Sequence, residues 1–226
     1  AVCTDGISTV VVSCKALRSL RQYTQKRGSV LRSLMDTKTR SSIRWKRLKR
    51  RDNLFRAQQK RRIRDLEHKI SREVVRYAVE RKACTIAIVD VRDIADKTDK
   101  GKHHNQRMST WAHGRIRAYI AYKARYAGMK VVLVDEQHTT QSCPTCGQRT
   151  KPKGRVYTCL YSGFRGQREA VGAAYILSRR LHGELSKINA TEATYRYPYE
   201  NRGKRSRLDT AEMACMSNSV QEATGL

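Results

Sequence analysis

Two hydrophobic periods alternate along this chain. It opens on two β-rich runs, AVCT and ISTVVVS, either side of Asp5-Gly6. An Asp-Gly pair between such runs predicts a tight hairpin, because glycine supplies the positive φ the turn needs. Asp5 then reads as a turn residue. Residues 15–38 change period: Leu17, Leu20 and Tyr23, then Val30, Leu31 and Leu34, recur at helical spacing, with a break expected at Gly28. Residues 41–82 form the longest helical tract. Ile63, Leu66, Ile70 and Val74 recur three and four apart and make one apolar stripe. Ile43, Leu48 and Phe55 extend it loosely, and Asp52-Asn53 is expected to fold the tract into a helical hairpin.

The period then shortens again. Residues 84–90, CTIAIVD, are a continuous apolar run that predicts a buried parallel strand with Asp90 at its C-terminal end. A polar loop carrying His103 and His104 follows. Residues 107–128 read as a helix closed by Gly128, with Trp111, Ile116, Ile120 and Ala124 inward. The next strand, MKVVLVDE, completes a β-α-β crossover. That connection brings Asp135 and Glu136 near Asp90, at the sheet edge where α/β proteins gather ligands. A last helix starts at Glu169, where Gly172, Ala173 and Ala174 permit close packing on the sheet. Residues 186–226 carry little periodicity and are expected to be a basic, flexible tail. The fold class is α/β.

Charge changes the picture most. The 226 residues hold 48 Lys and Arg against 20 Asp and Glu, a formal net charge of +28. That excess exceeds what solubility needs and points to a polyanion, nucleic acid first. Its densest part lies between Arg44 and Arg64, where Asp52 is the one acid, so the run cannot neutralise itself through i,i+4 pairs. The candidate nucleic-acid-binding residues are Arg44, Lys46, Arg47, Lys49, Arg50, Arg51, Lys60, Arg61, Arg62 and Arg64, with Arg155 further on. Trp45 is a candidate for stacking on a base. No apolar run is long enough for a membrane span, and the N-terminus does not read as a signal peptide. Seven cysteines, an odd number, suit a reducing cytoplasm better than a disulfide framework. Ala1 is not Met and AVCT reads like mid-strand, so upstream sequence is expected to be missing.

The most specific motif is Cys143-Pro-Thr-Cys146, followed after a ribbon-length spacer by Cys159. Two thiolates on a tight turn, a spacer and a second pair make a four-thiolate zinc ribbon. Gly147 and Gly163 follow the two knuckles, as their turns require. Ser162 stands where the fourth thiolate belongs. Residues 138–164 are therefore read as a zinc ribbon with Cys143, Cys146 and Cys159 as metal ligands. Water or His138 is the candidate for completing the shell.

Asp90, Glu136 and Glu169 are the candidate catalytic acids. Clustered carboxylates hold magnesium or manganese pairs for in-line attack on phosphodiesters. The ordered set IAIVDVRDI, NQRMSTWAHGRIRAYIAYKARYAGMKVVLVDEQHTTQSCPTCGQR, KPKGRVYTC and REAVGAAYIL resembles the C-terminal half of TnpB (OrfB) proteins. These are insertion-sequence-encoded, RNA-guided endonucleases related to type V CRISPR effectors. The likeness covers most of residues 1–185. It implies a RuvC-like, RNase H-type fold over 1–137 with a helical hairpin insertion about 41–82. It also implies the inserted zinc ribbon at 138–164 and a final RuvC-like helix over 165–185. It further implies three acids with magnesium, a target DNA, a guide RNA, and N-terminal recognition domains absent here. The family's opening strand, with its first Asp, precedes a segment like AVCTDG, so by that alignment the first acid is expected to be absent. Glu136 in a DE-x-x-T motif matches the second acid. The last motif is usually Arg-Asp and is here Arg168-Glu169.

Three readings follow: a metal-dependent nuclease half, a nuclease-dead nucleic-acid-binding remnant of one, and a zinc-ribbon RNA-binding protein of unrelated fold. The β-α-β acids and the inserted ribbon argue against the third.

Overall fold

The computed structural model describes residues 1–90, 101, 113–136, 138–152, 154–183 and 193–198. His103, His104 and Trp111 lie outside them. The opening hairpin forms as expected. Strand β1 (Val2–Thr4) pairs antiparallel with β2 (Thr9–Val12), Val2 opposite Val11. Asp5 is the turn residue. Its Oδ1 accepts the N–H groups of Ile7 at 2.9 Å and Ser8 at 2.6 Å, beside Gly6 at φ 89°. Burial pushes the Asp5 carboxyl up, but those amides and Arg81 outweigh it and hold it below its usual value.

Two expectations for the helices fail. Helix α1 (Lys15–Asp36) runs unbroken through Gly28, which is buried with the Arg56 guanidinium of the next helix 3.7 Å from where a Cβ would stand. The glycine admits a neighbouring helix instead of ending its own. Helix α2 (Ile43–Glu80) is likewise continuous across Asp52-Asn53. Asp52 is buried, and its carboxylate takes the Arg56 Nε–H at 2.6 Å one turn on, so the acid is absorbed within the helix. The helical hairpin is α1 against α2. The chain turns just before Ser42, whose Oγ caps α2 by accepting the Trp45 N–H at 3.2 Å.

Strand β3 (Thr85–Val89) leads to α3 (His113–Tyr126), and β4 (Lys130–Val134) returns parallel to β3 with Ala87 opposite Val132. Gly128, at φ 72°, closes α3 by donating its N–H to the Arg125 carbonyl at 3.0 Å. The α2 stripe behaves as its spacing predicts. Ile70 and Val74 join Val10, Val12, Leu17, Ile120, Ala124 and Met129 in the main core, with Ile63 and Leu66 packed against it. The apolar β3 is half-buried along its length rather than fully covered. Its sheet explains this: among the described residues β3 pairs with β4 alone.

Strands β5 (Val156–Thr158) and β6 (Arg165–Gln167) form an antiparallel ribbon. Helix α4 (Arg168–His182) follows, ends at Gly183 with φ 77°, and packs across β1, β3 and β4. The segment expected to be a flexible tail is not wholly irregular. Its residues Ala193–Arg196 form β7, parallel to β2, with Val10 opposite Thr194. Thr194 and Tyr195 are strand formers, too few to stand out in a basic stretch. Among the described residues the strands form three sheets, β1-β2-β7, β3-β4 and β5-β6.

A lysine ties α3 to α2. The Lys123 Nζ donates to the His68 carbonyl at 2.7 Å and to Ser71 Oγ at 2.6 Å. Burial, then the nearby Arg72, push its ammonium down from 10.5 to about 8. Between those values the unfolded chain binds a proton that the folded chain has shed, so stability rises with pH across that window. The difference in urea unfolding free energy between wild type and Lys123→Met should shift from pH 8 to pH 10.5. A constant difference would show that Lys123 titrates like an exposed lysine.

Candidate metal centre and nucleic-acid interface

The Cys-rich knuckle gathers its three thiols. The ligand atoms of Cys143, Cys146 and Cys159 lie within 4.8 Å of one another, and this is the one such His/Cys/Asp/Glu group of three or more among the described residues. The Cys146 and Cys159 sulfurs are 3.6 Å apart. Two thiolates at a zinc–sulfur distance of ~2.3 Å with tetrahedral angles stand about 3.8 Å apart, so the spacing suits one ion. Cys143 and Cys159 are buried against Tyr157, Val171 and Tyr175, with Cys146 and Phe164 at the margin. The Tyr175 hydroxyl donates to the Cys143 carbonyl at 2.6 Å, fixing the first knuckle to α4. The turns use Gly147 at φ 76° and Gly163 at φ 68°.

Ser162 lies beside the three thiols, where the fourth would stand. Its Oγ lies 3.2 Å from the Cys143 sulfur, and its N–H points at the Cys159 sulfur at 3.5 Å. These contacts favour thiolate. Hydrogen bonds from the Ser162 side chain and amide bring the Cys159 thiol down to about 6. Burial pushes Cys143 up, but Ser162 and the Cys146 and Thr145 amides turn the net shift downward. The three residues thus fit a structural zinc, the cofactor expected from the spacing. His138 is not part of the group. It sits at φ 64° as a turn residue whose carbonyl accepts the N–H of Gln141 at 3.0 Å and of Ser142 at 3.3 Å.

The small residues of α4 serve this ribbon as much as the sheet. A Cβ on Gly172 would stand 2.9 Å from Cγ2 of Thr140, in the turn leading into the knuckle. Gly172→Val should destabilise the chain by about 1–3 kcal/mol through overpacking, more than any helix-propensity gain returns. A melting temperature at or above wild type would show that the turn yields freely.

The three candidate acids occupy neighbouring elements. Asp90 follows β3, and its N–H donates to the Val134 carbonyl of β4 at 3.0 Å. Its carboxylate takes Arg117 of α3 at 3.2 Å. Glu136 lies two residues past β4; burial, then Asp135, push its carboxyl up. Glu169 opens α4, with Arg168 at 3.8 Å from Oε1. The three carboxylates do not draw within 4.8 Å of one another, as the thiols do. An acid that sequence reasoning missed is Glu67, wholly buried on α2 and paired with Arg21 of α1 and with Arg115 of α3 at 3.2 Å. Nothing in its local sequence marks it, since a Glu in a charged helix is ordinary.

All ten candidate cations of α2 (Arg44, Lys46, Arg47, Lys49, Arg50, Arg51, Lys60, Arg61, Arg62 and Arg64) are exposed, as is Arg155 at the foot of β5. Among the described residues none of them pairs with a carboxylate. Arg47, Arg50, Arg51 and Arg61 share an open surface of α2 with Leu54 and Phe55. Trp45 is half-buried in the first turn of α2.

Comparison with known proteins agrees with this arrangement. Residues 113–176, from α3 through the ribbon into α4, match the family described as Cas12f1-like, TNB domain. A TnpB-like protein, MJ0751 of Methanocaldococcus jannaschii, is 30% identical over 110 residues, 46% of this chain and 38% of that protein. A CRISPR-associated endodeoxyribonuclease Cas12f1 of Sulfoacidibacillus thermotolerans is 32% identical over 80 residues, 35% of this chain and 18% of the relative. The chain thus spans well under half the length of these relatives. Among solved structures, a Cas12f1–sgRNA–target DNA complex superposes with a TM-score of 0.55 at 16% identity, over 75% of this chain and 44% of the other. A CRISPR-Cas12f ternary complex gives 0.59 at 14% identity, over 81% and 36%. At such identities these likenesses speak for the fold. No described helix is long and apolar enough to cross a membrane. The chain is thus distantly similar to TnpB-like and Cas12f1 proteins over part of its length, with residues 113–176 matching the Cas12f1-like TNB domain.

Proposed function

We propose that this chain is the nucleic-acid-binding C-terminal part of a TnpB-type, RNA-guided DNA endonuclease, built on a RuvC-like, RNase H-type domain with an inserted zinc ribbon. The observation that carries the reading is the α2 face, ten exposed cations without a carboxylate partner among the described residues. A charge row of that kind is neutralised by phosphates, with release of counterions. Leu54 and Phe55, among these arginines, add apolar surface for an unpaired base. The partners are DNA and a guide RNA, the classes named for the Cas12f1 complex that the chain resembles in fold.

Cleavage would be metal-dependent phosphodiester hydrolysis. Asp90, Glu136 and Glu169 would hold magnesium or manganese, which would activate the attacking water and steady the leaving oxygen. The elements that carry them adjoin: β3 pairs with β4, and α4 packs on both. The second reading is a nuclease-dead remnant that binds without cutting. Two observations favour it: Asp90 is engaged by Arg117, and the three carboxylates do not all lie within 4.8 Å of one another.

One experiment separates the readings. Labelled single-stranded DNA is incubated with the chain and with Glu169→Ala, with magnesium or manganese, while binding is followed across a salt series. Metal-dependent cutting lost in the variant supports the nuclease. Salt-sensitive binding without cutting by either protein supports the remnant. Binding indifferent to salt, or to reversal of Arg50, Arg51 and Arg61 to Glu, would remove the nucleic-acid reading itself.

A further inference from the structure

We propose that a metal ion held by Cys143, Cys146 and Cys159 keeps its fourth coordination position open to solvent beside Ser162, and that this position takes an exogenous thiolate. The inference rests on the metal site and not on nucleic-acid binding. Structural zinc sites are closed by four protein ligands, whereas an open position is the mark of sites that exchange a ligand. Here the protein supplies three. Two of the thiols, Cys143 and Cys159, are covered on their inner side by Tyr157 and Tyr175. The fourth corner faces outward: Ser162 is exposed, between Tyr161 at 72% and Gly163.

Ser162 is a poor ligand in its own right. Its hydroxyl is neutral, and its Oγ already accepts the Phe164 N–H at 3.3 Å and contacts the Cys143 sulfur at 3.2 Å. No other His, Cys, Asp or Glu among the described residues joins the group. The position therefore falls to a solvent molecule, and a solvent ligand exchanges. Ser162 is placed to hydrogen-bond whatever replaces it.

The surroundings select the replacement. Zinc with three thiolates carries one net negative charge, which would discourage a further anion. Between His138 and Arg168, however, the chain has no Asp or Glu and carries Arg149, Lys151, Arg155 and Arg165. That positive field offsets the repulsion. A metal already bound by thiolates accepts another soft sulfur donor readily. The source is either a soluble thiol or a cysteine of a second chain, for which Cys84 is exposed.

Cobalt(II) in place of zinc reads the coordination directly, because its visible bands intensify and move to longer wavelength when sulfur replaces oxygen. The full chain is loaded with cobalt without thiol and titrated with 2-mercaptoethanol, beside Ser162→Cys and Ser162→Ala. Wild type is expected to show a three-sulfur spectrum that converts, saturably, to the spectrum Ser162→Cys has from the start. Ser162→Ala should bind cobalt and still convert with added thiol, at a higher thiol concentration than wild type, while Ser162→Cys should not respond. A four-sulfur spectrum that appears with rising protein concentration alone, and is lost in Cys84→Ser, assigns the thiolate to a second chain. Conversion by added thiol alone assigns it to a soluble one. The proposal is overturned if wild type binds no cobalt, if thiol leaves its spectrum unchanged, or if Ser162→Ala abolishes binding, which would make Ser162 the ligand. Zinc release to a chelator gives a second reading: Ser162→Cys should release it at least about tenfold more slowly than wild type.

Discussion

Glu67→Gln should destabilise the chain by about 3–5 kcal/mol, the cost of removing one partner from a buried ion pair. Glu67 is wholly buried, and Arg21, which it pairs with, is nearly so. Arg115 reaches the same carboxylate oxygen from α3 at 3.2 Å with its own side chain half exposed. One carboxylate thus joins α1, α2 and α3. The amide keeps the shape and loses the charge, so Arg21 is left in the helix interface without its counter-charge. Arg115 can turn to water and loses little. Urea unfolding of Glu67→Gln, Arg115→Gln and the double variant Arg21→Met/Glu67→Leu tests the assignment. The first should lose most of its stability, the second less than about 1 kcal/mol, and the double variant far less than the first, because no charge remains buried. Equal losses for the two single glutamine variants would show that the pair does not govern the joint.

The second large effect belongs to the thiols. Structural zinc contributes about 10–16 kcal/mol of binding free energy in small sites closed by four ligands, and three thiolates supply a part of that as folding free energy. The ribbon around Cys143, Tyr157, Cys159, Val171 and Tyr175 has little else to hold it. Cys143→Ala should abolish stoichiometric zinc and unfold residues 138–164, while the main core around Ile70, Val74 and Ile120 persists. Hydrogen exchange distinguishes the two regions. The Cys159 amide, bonded to the Phe164 carbonyl at 2.9 Å, should lose protection, and the α2 amides near Ile70 should keep theirs. Unchanged protection at Cys159 in zinc-free protein would mean that the apolar cluster suffices without metal.

Much was legible because it is local. The Asp5-Gly6 turn needs only a short carboxylate and a glycine, and both act within four residues. The α2 stripe needs only helical spacing, and the residues it names face the core. The knuckle spacing set Cys143 beside Cys146 because a C-x2-C turn fixes its own geometry, while Cys159 joins them through the β5-β6 ribbon. The failures came where a local signal was answered from elsewhere. Gly28 reads as a helix break in isolation, yet it is a contact surface once α2 lies against α1. Asp52-Asn53 reads as a turn, yet Arg56 one turn on pairs with the acid within the helix.

The sequence by itself determined the α/β alternation, the charge that calls for a polyanion, and the metal-type cysteines, because composition and short-range spacing carry all three. Only the tertiary structure decided that Glu67 is a buried junction, that β7 returns to β2, and that Arg117 engages Asp90. It also decided that Cys159 returns to Cys143 and Cys146. Each of these joins residues far apart in the chain. The energy of such a contact depends on what surrounds it, on burial and counter-charge above all, and neither is encoded within a few residues.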